Sequence, residues 1–160
     1  MKFIDENSLN RLNFKELLSR VDIFSAYGKN KLNNVQNFLV GEEEKLEEEF
    51  ERMQKILDFI SVNKKEEMEI EIILHRLKDI KKLVENTKAN IILDTVDLFE
   101  IKTQLMAMAD LNVCLIKNKE VFSDFILKDL DELFKILDPN NEKIATFYIY
   151  DSYSVILKEI

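Results

Sequence analysis

The chain has 160 residues, a formal net charge of −8 and 46% hydrophobic residues. This length suits one domain with a buried core, and its surplus of carboxylates disfavours nucleic-acid binding by the chain alone, because they repel phosphate backbones. Only two glycines and one proline occur, which disfavours a turn-rich all-β fold and favours helices.

The N-terminal sequence, "MKFIDENSLNRL", has no long apolar core after its lysine, and no apolar run reaches membrane-spanning length. The sequence therefore predicts neither export nor a membrane partner. The only cysteine, Cys114, cannot form an internal disulfide. Cytoplasmic residence is the resulting expectation.

Apolar residues recur at helical spacing through the first part of the chain. A first helix is predicted from about Ser8 to Val21, and a short second helix from Lys29 to Leu39 with Gly41 as its stop. The clearest helix runs from Glu42 to Val62, where apolar residues alternate at steps of four and three and form a narrow seam on a charged helix. This seam consists of Leu46, Phe50, Met53, Leu57 and Ile60.

The middle of the chain predicts two further helices. The first runs from Met68 to Glu85, followed by a break in which Asn86 and Asn90 suit turn or left-handed conformations. The second begins after Asp94, which is placed to cap it with Asp97 in the first turn, and ends near Asn118.

The last part of the chain changes character. A helix is predicted from about Glu120 to Leu137, and Asp138-Pro139-Asn140-Asn141 is a strong stop and turn. Threonine, isoleucine and aromatic residues then favour one short strand or hairpin near residues 143–150. Ser154 is placed to cap a last helix, and residues 151–160 are interpreted as the start of this helix, which continues beyond Ile160. The expected fold is an all-α multi-helix bundle with this one extended segment, in a single domain over residues 1–160.

Few residues suggest chemistry. Gly28-Lys29 resembles the tail of a phosphate-binding loop, but no glycine stands upstream and Asn30 replaces the hydroxyl residue. His75 is interpreted as a packed or half-exposed helix residue, and Cys114 as a small core residue. Three further features receive ordinary structural interpretations: core filling for Met106 and Met108, exposed ion pairs with Lys78 and Lys82 for Asp79, and a solvated face for "GEEEKLEEEFE". No catalytic, cofactor-binding or metal-binding residue is assigned, and the chain is not expected to be an enzyme.

Several segments resemble, in order, the core (lever-base) domain of the MutS family. They are "LNFKELLSRV", "SAYGKNKL", "LHRLKDIKKLVE", "NIILDTVDLFEIKTQL" and "LDPNNEKIATFYIYDSYSVILKEI". The last resembles the family's D-x-x-G-x-(loop)-D-S-x-S-P-x-L-x-x-I-R segment, which leads into the first long lever helix. The resemblance spans about Leu12 to Ile160.

The sequence also departs from the family pattern. Asn90 and Asn141 stand where the family usually has glycine, and Val155 replaces a common proline. The segment "TFYIY" is longer than the family's loop. Phe14-Lys15-Glu16 spells the F-x-E of mismatch readers but falls on a predicted helix, so it is interpreted as chance. The departures indicate a divergent member of the family. Core-like sequence begins within the first fifteen residues, and this arrangement resembles the bacterial MutS paralogues that lack the mismatch-reading domain.

The resemblance implies a fold and a role. The fold would be a bundle of the MutS core type, forming the N-terminal core region of a longer chain, with residues 151–160 starting a lever helix. The region would be non-catalytic and would link DNA-binding levers to a downstream ATPase domain of the parent. ATP and magnesium would bind that domain, DNA would bind only the full-length parent, and the partners of this region would be the lever and ATPase domains. A homodimer of the parent is left open.

Two other functional classes compete with this interpretation. One is a free-standing acidic helical interaction module or adaptor, whose partner docks on an exposed apolar groove. The other is an enzyme that uses His75 or the carboxylates, for which helical periodicity gathers no cluster. A downstream sequence with a long heptad-like helix and a phosphate-binding loop would favour the MutS-like interpretation over the adaptor.

Overall fold

The structure is a computed structural model that describes residues 10–35, 38–128, 130–146 and 148–154. These residues form an all-α bundle, as the sequence predicted, and contain no β-strand. The α-helices of the described part of the chain, in order, are α1 Phe14–Ser19, α2 Ala26–Asn33, α3 Glu43–Val62, α4 Lys64–Arg76, α5 Lys81–Lys88, α6 Thr95–Lys117, α7 Lys119–Phe122 and α8 Asp131–Leu137.

The long helix α6 is the centre of the bundle and packs against α4, α7 and α8. It begins as the sequence predicted: the Asp94 carboxylate accepts hydrogen bonds from the backbone N–H groups of Val96 and Asp97, both at 2.8 Å. The Asp97 carboxylate accepts in turn from the Asp94 N–H at 3.2 Å, completing a capping box. The predicted end near Asn118 is also confirmed, because Asn118 is the C-cap.

The core lies where α3, α4, α6 and α7 meet. Phe59 and Phe122 pack edge to face across it, with ring centroids 5.2 Å apart and an interplanar angle of 82°. The other buried members of this cluster are Ile73, Leu111, Cys114 and Leu115.

The prediction of a single helix from Met68 to Glu85 is wrong, because the helical structure is interrupted between α4 and α5. In the break, the Lys78 N–H donates to the side-chain oxygen of Gln104 at 2.9 Å, and the Ile80 N–H donates to the Tyr27 hydroxyl at 3.4 Å. Side chains from other elements thus replace the helical acceptors, and this allows the chain to turn. The left-handed conformation expected of Asn90 is confirmed, with φ 57°. The turn expected at Asn86 is wrong, because Asn86 lies inside α5.

The helix predicted from Glu120 to Leu137 is also wrong as one element. The chain forms α7, a 3₁₀ turn at Ser123–Phe125, non-helical backbone at residues 126–128 and 130, and then α8. The Asn112 side chain of α6 accepts a hydrogen bond from the Leu127 N–H at 2.8 Å and donates to the Leu127 carbonyl at 3.4 Å. Because this side chain pairs with both backbone groups of Leu127, it holds the stretch in a non-helical path.

The strand or hairpin predicted near residues 143–150 is absent from residues 143–146 and 148–150, while Phe147 lies outside the described residues. A strand needs a neighbouring strand to satisfy its backbone groups, and the described part of the chain offers none. The turn before it is confirmed: the Asn141 N–H donates to the Asp138 carbonyl at 2.9 Å, and φ at Asn141 is 54°. The lever helix predicted to start at residues 151–160 is not α-helical in its described part, which forms a 3₁₀ turn at Asp151–Tyr153 followed by extended Ser154. Residues 155–160 lie outside the described residues.

The N-terminal helices differ from prediction mainly in their bounds. The first predicted helix extends further than α1 at both ends, although Ser8 lies outside the described residues. The second begins earlier, at α2, because the Ser25 hydroxyl accepts from the Gly28 N–H at 3.0 Å and caps it. It does not end at Gly41, whose φ of 93° belongs to the turn that leads into α3.

Candidate functional site

The residues that the sequence singled out lie apart from one another. His75 is exposed and packs edge to face on Phe24, with ring centroids 5.3 Å apart. Cys114 lies in the core, and burial raises the pKa of its thiol, which disfavours the reactive thiolate. The Gly28 N–H donates to the Ser25 hydroxyl, so this backbone group takes part in a helix cap and does not belong to a phosphate-binding loop.

Asp79 differs from its prediction. Within the described residues it forms no ion pair with Lys78 or Lys82. Its carboxylate instead accepts hydrogen bonds from the Asn30 side chain at 3.2 Å and from the Lys81 N–H at 3.0 Å. Asp79 therefore ties α2 to the start of α5. The two methionines are half-buried on α6, at positions 106 and 108.

The structure places a fully buried polar network where the sequence predicted none. Lys102 on α6, Asp138 after α8 and Tyr150 near the C-terminus are 0%, 1% and 3% exposed. The Lys102 ammonium lies 3.3 Å from the Asp138 carboxylate and donates to the Tyr150 hydroxyl at 3.1 Å. The Tyr150 hydroxyl donates to the same carboxylate oxygen of Asp138 at 3.1 Å. We call these three residues the buried network.

Hydrogen bonding keeps Asp138 charged. Burial by itself would raise the pKa of this carboxyl, but it accepts hydrogen bonds from the Lys143 N–H at 2.8 Å, from Tyr150 and from Lys102. The net result is a pKa below the ordinary aspartate value. For Tyr150, burial and the bond to Asp138 raise the phenol pKa, so its hydroxyl stays protonated and can donate.

Two aromatic rings pack around Tyr150 on the C-terminal side of the network. Tyr148 lies with its ring centroid 4.3 Å from that of Tyr150, and Tyr153 packs edge to face at 5.4 Å. Tyr148 itself is exposed and donates its hydroxyl hydrogen to Glu142, which raises the pKa of its phenol. The rings therefore close over Tyr150 and leave the network without access to solvent.

Because its members are almost completely buried, the buried network has no room for a substrate. Its geometry instead joins α6, the turn after α8 and the C-terminal segment at one point. Two of its members lie in features that the sequence marked, the turn at Asp138 and the aromatic segment ending at Tyr150. Lys102 carried no such signal, because a lysine on a long helix is normally exposed.

A second feature is the seam of α3, which we call the α3 seam: Leu46, Phe50, Met53, Leu57 and Ile60. Helix α3 contacts the core through a neighbouring face, which carries the buried Phe59 and half-buried Ile56, and through half-buried Ile60 at the C-terminal end of the seam. On the seam, Phe50 is 57%, Met53 44% and Leu57 55% exposed. Most of the apolar seam that the sequence predicted is thus exposed to solvent.

An open groove lies between α6 and the segment that includes α8, and its lining includes Asp138 of the buried network. Apolar side chains line most of it: Leu105, Val113, Ile116, Leu127, Leu130 and Phe134. Charged groups of both signs, Asp131, Lys135 and Lys143, stand among them.

Two further properties of the described residues bear on chemistry. Nowhere among them do three or more histidine, cysteine, aspartate or glutamate side chains converge in a way that could hold a metal ion. None of their helices combines the length and apolar character that crossing a membrane requires.

Comparison of the chain with protein-family models, with curated proteins and with solved structures finds no match.

Proposed function

We propose that this chain is the N-terminal helical core region of a MutS-like DNA mismatch repair or recombination ATPase, non-catalytic itself. In this proposal it works in the cytoplasm and links DNA-binding levers to a downstream ATPase domain. ATP and magnesium belong to that domain, and DNA is bound by the full-length parent. Between Leu12 and Ile160, several segments resemble the family and follow one another in the family's order. This resemblance supports the assignment.

One structural observation carries the mechanical part of the proposal: the attachment of the exit segment. The segment that resembles the family's passage into a lever, Asp151 to Ser154, directly follows Tyr150. Tyr150 is fixed to α6 through Lys102 and to the α8 turn through Asp138. An element that transmits movement between domains must be held firmly at its base, and the buried network supplies such a hold.

The central helix supports the same role. Helix α6 runs for 23 residues and contacts several other helices of the bundle. A displacement of the exit segment would therefore act through Lys102 on the element that organises the core. Coupling of this kind travels through rigid elements and hydrogen-bonded networks.

The proposal has a direct biochemical test. The purified 160-residue protein is expected neither to hydrolyse ATP nor to bind duplex DNA at physiological salt, whereas a parent chain containing a phosphate-binding loop is expected to do both. In that parent, Tyr150→Phe should reduce DNA stimulation of ATP hydrolysis while the DNA-free rate stays unchanged. Tight ATP or DNA binding by the 160-residue protein would refute the proposal.

The exposed α3 seam favours a second candidate, a helical interaction module that acts as an adaptor. Monomeric soluble proteins seldom expose extended apolar patches without a use for them. The two candidates differ in the downstream sequence: a lever-like helix followed by an ATPase supports the first, and a reading frame that stops at Ile160 supports the second.

A further inference from the structure

The α3 seam lies beside a row of carboxylates. Helical spacing places Glu43, Glu47 and Asp58 along the border of the seam that is turned away from Phe59, and Glu51 one step further round the helix. All four residues are exposed. Glu47 and Glu51 have no hydrogen-bond or ion-pair partner among the described residues, so their charge is not neutralised locally.

The opposite border has a different character. There Arg52 is already engaged, with its guanidinium bonded to Glu49 at 2.6 Å and to Asp124 at 3.1 Å. The seam therefore has a core-facing border with paired charges and a free border with unpaired negative charge. A ligand of the seam would meet apolar side chains in the middle and carboxylates along one side.

We propose that the α3 seam binds an amphipathic α-helix of another protein, with apolar residues at three- and four-residue steps and lysine or arginine along one flank. The alternating steps of the seam are those of a coiled-coil interface, which takes a second helix. The row of carboxylates complements a basic flank and disfavours an acidic one.

Charge argues against a second copy of this chain as the occupant. Each copy carries the same row of carboxylates and a net charge of −8. The lysines of α3 do not change this, because Lys45 is paired with Glu42 at 2.8 Å, and Lys55 lies on the far side of the helix from the seam by helical spacing. Self-pairing in either direction would thus bring no cation to Glu47 or Glu51.

Two synthetic peptides test the proposal on the 160-residue protein. Both are about 20 residues long, to match α3, and carry leucine at the seam-facing positions. One has lysine on its flanks and the other glutamate. We expect fluorescence anisotropy to show binding of the lysine peptide, weakened by added salt, and at least about tenfold weaker binding of the glutamate peptide.

Matched variants locate the site. Phe50→Ser combined with Leu57→Ser should weaken binding of the lysine peptide by about tenfold or more. Val62→Ser is the control, because Val62 is exposed on the same helix but off the seam. Glu47→Lys should weaken binding by roughly three- to tenfold, whereas the neighbouring Glu48→Lys, off the border of the seam, should change it less than about twofold. Thermal melts by circular dichroism check that each variant is folded.

Several results would overturn the proposal. Equal binding of the two peptides would show that the carboxylates do not select a basic helix. Unchanged binding by the Phe50/Leu57 variant would show that the peptide does not bind at the seam. If sedimentation showed a dimer of the unchanged protein and a monomer of the Phe50/Leu57 variant, the occupant of the seam would be a second copy of this chain. If a longer parent chain did not bind the peptide, the occupant of the seam would be a later segment of that parent. The inference is independent of the MutS-like proposal, which is tested by ATP and DNA binding and makes no demand on the seam.

Discussion

Lys102 and Asp138 form an ion pair inside the bundle, with 3.3 Å between the ammonium nitrogen and a carboxylate oxygen and no exposed surface on either side chain. Buried ion pairs add little net stability when compared with apolar replacements, yet the loss of one partner is costly because the other charge remains without compensation. The pair therefore makes the fold sensitive to single substitutions at these two positions.

Lys102→Met is expected to lower the free energy of unfolding by about 3–5 kcal/mol, because the Asp138 carboxylate then stays buried without its cation. Urea denaturation followed by circular dichroism measures this change. Lys78→Met is the matched control, since the Lys78–Glu100 pair spans 3.5 Å and both side chains are exposed. Equal effects of the two variants would contradict the assigned role of the buried pair.

Tyr150→Phe removes the hydroxyl that accepts from Lys102 and donates to Asp138. We expect a loss of about 1–3 kcal/mol in unfolding free energy, because a buried charged pair loses one of its hydrogen-bond partners. Tyr148→Phe, which removes an exposed hydroxyl bonded to Glu142, should leave the denaturation midpoint unchanged. If both variants behave alike, the C-terminal segment is not anchored through Tyr150.

The stability of the protein should fall in acid partly through Asp138. Its pKa in the folded protein is lowered from the ordinary value of 3.8, so the unfolded state binds more protons between the two pKa values. The contribution is thus present above about pH 4 and is lost as the pH falls through the folded pKa. Unfolding midpoints measured from neutral to acid pH should show a smaller loss for Asp138→Asn than for the unchanged protein, even though the variant starts less stable.

The same acid titration has a control in other carboxylates of the chain. Glu42, Glu43 and Glu66 also have lowered pKa values, through hydrogen bonds at exposed or half-buried positions. Glu66→Gln should therefore leave most of the acid-dependent loss in place. If Asp138→Asn and the unchanged protein lost the same unfolding free energy between neutral and acid pH, folding would not lower the pKa of Asp138.

Asp94→Ala should destabilise the protein by about 0.5–2 kcal/mol, because it removes the acceptor for two backbone N–H groups at the start of α6. Thermal denaturation measures the loss. Asp94→Asn is the comparison, since its side-chain oxygen can still accept and should restore most of the stability. The cap assignment would be wrong if alanine and asparagine were equivalent.

The parts of the fold that could be predicted from sequence depend on neighbouring residues. The capping box of Asp94 and Asp97, the start and end of α3, and the turn after Asp138 each need groups only a few residues apart. The sequence patterns that indicate them are therefore local and can be recognised without the structure. The two predicted helices that proved to be broken show the limit, since Gln104 and Asn112 bond to backbone groups of segments distant in sequence.

The candidate sites divide in the same way. The sequence by itself determined an acidic, all-α chain, the apolar α3 seam and the aromatic character of the C-terminal segment, because composition and periodicity record them. Only the tertiary structure decided that the seam lies exposed and that Lys102 meets Tyr150, 48 residues away. It also decided that the described part of this segment forms an anchor and no strand. Burial and pairing depend on which elements pack together, and packing depends on the whole chain rather than on any one stretch of it.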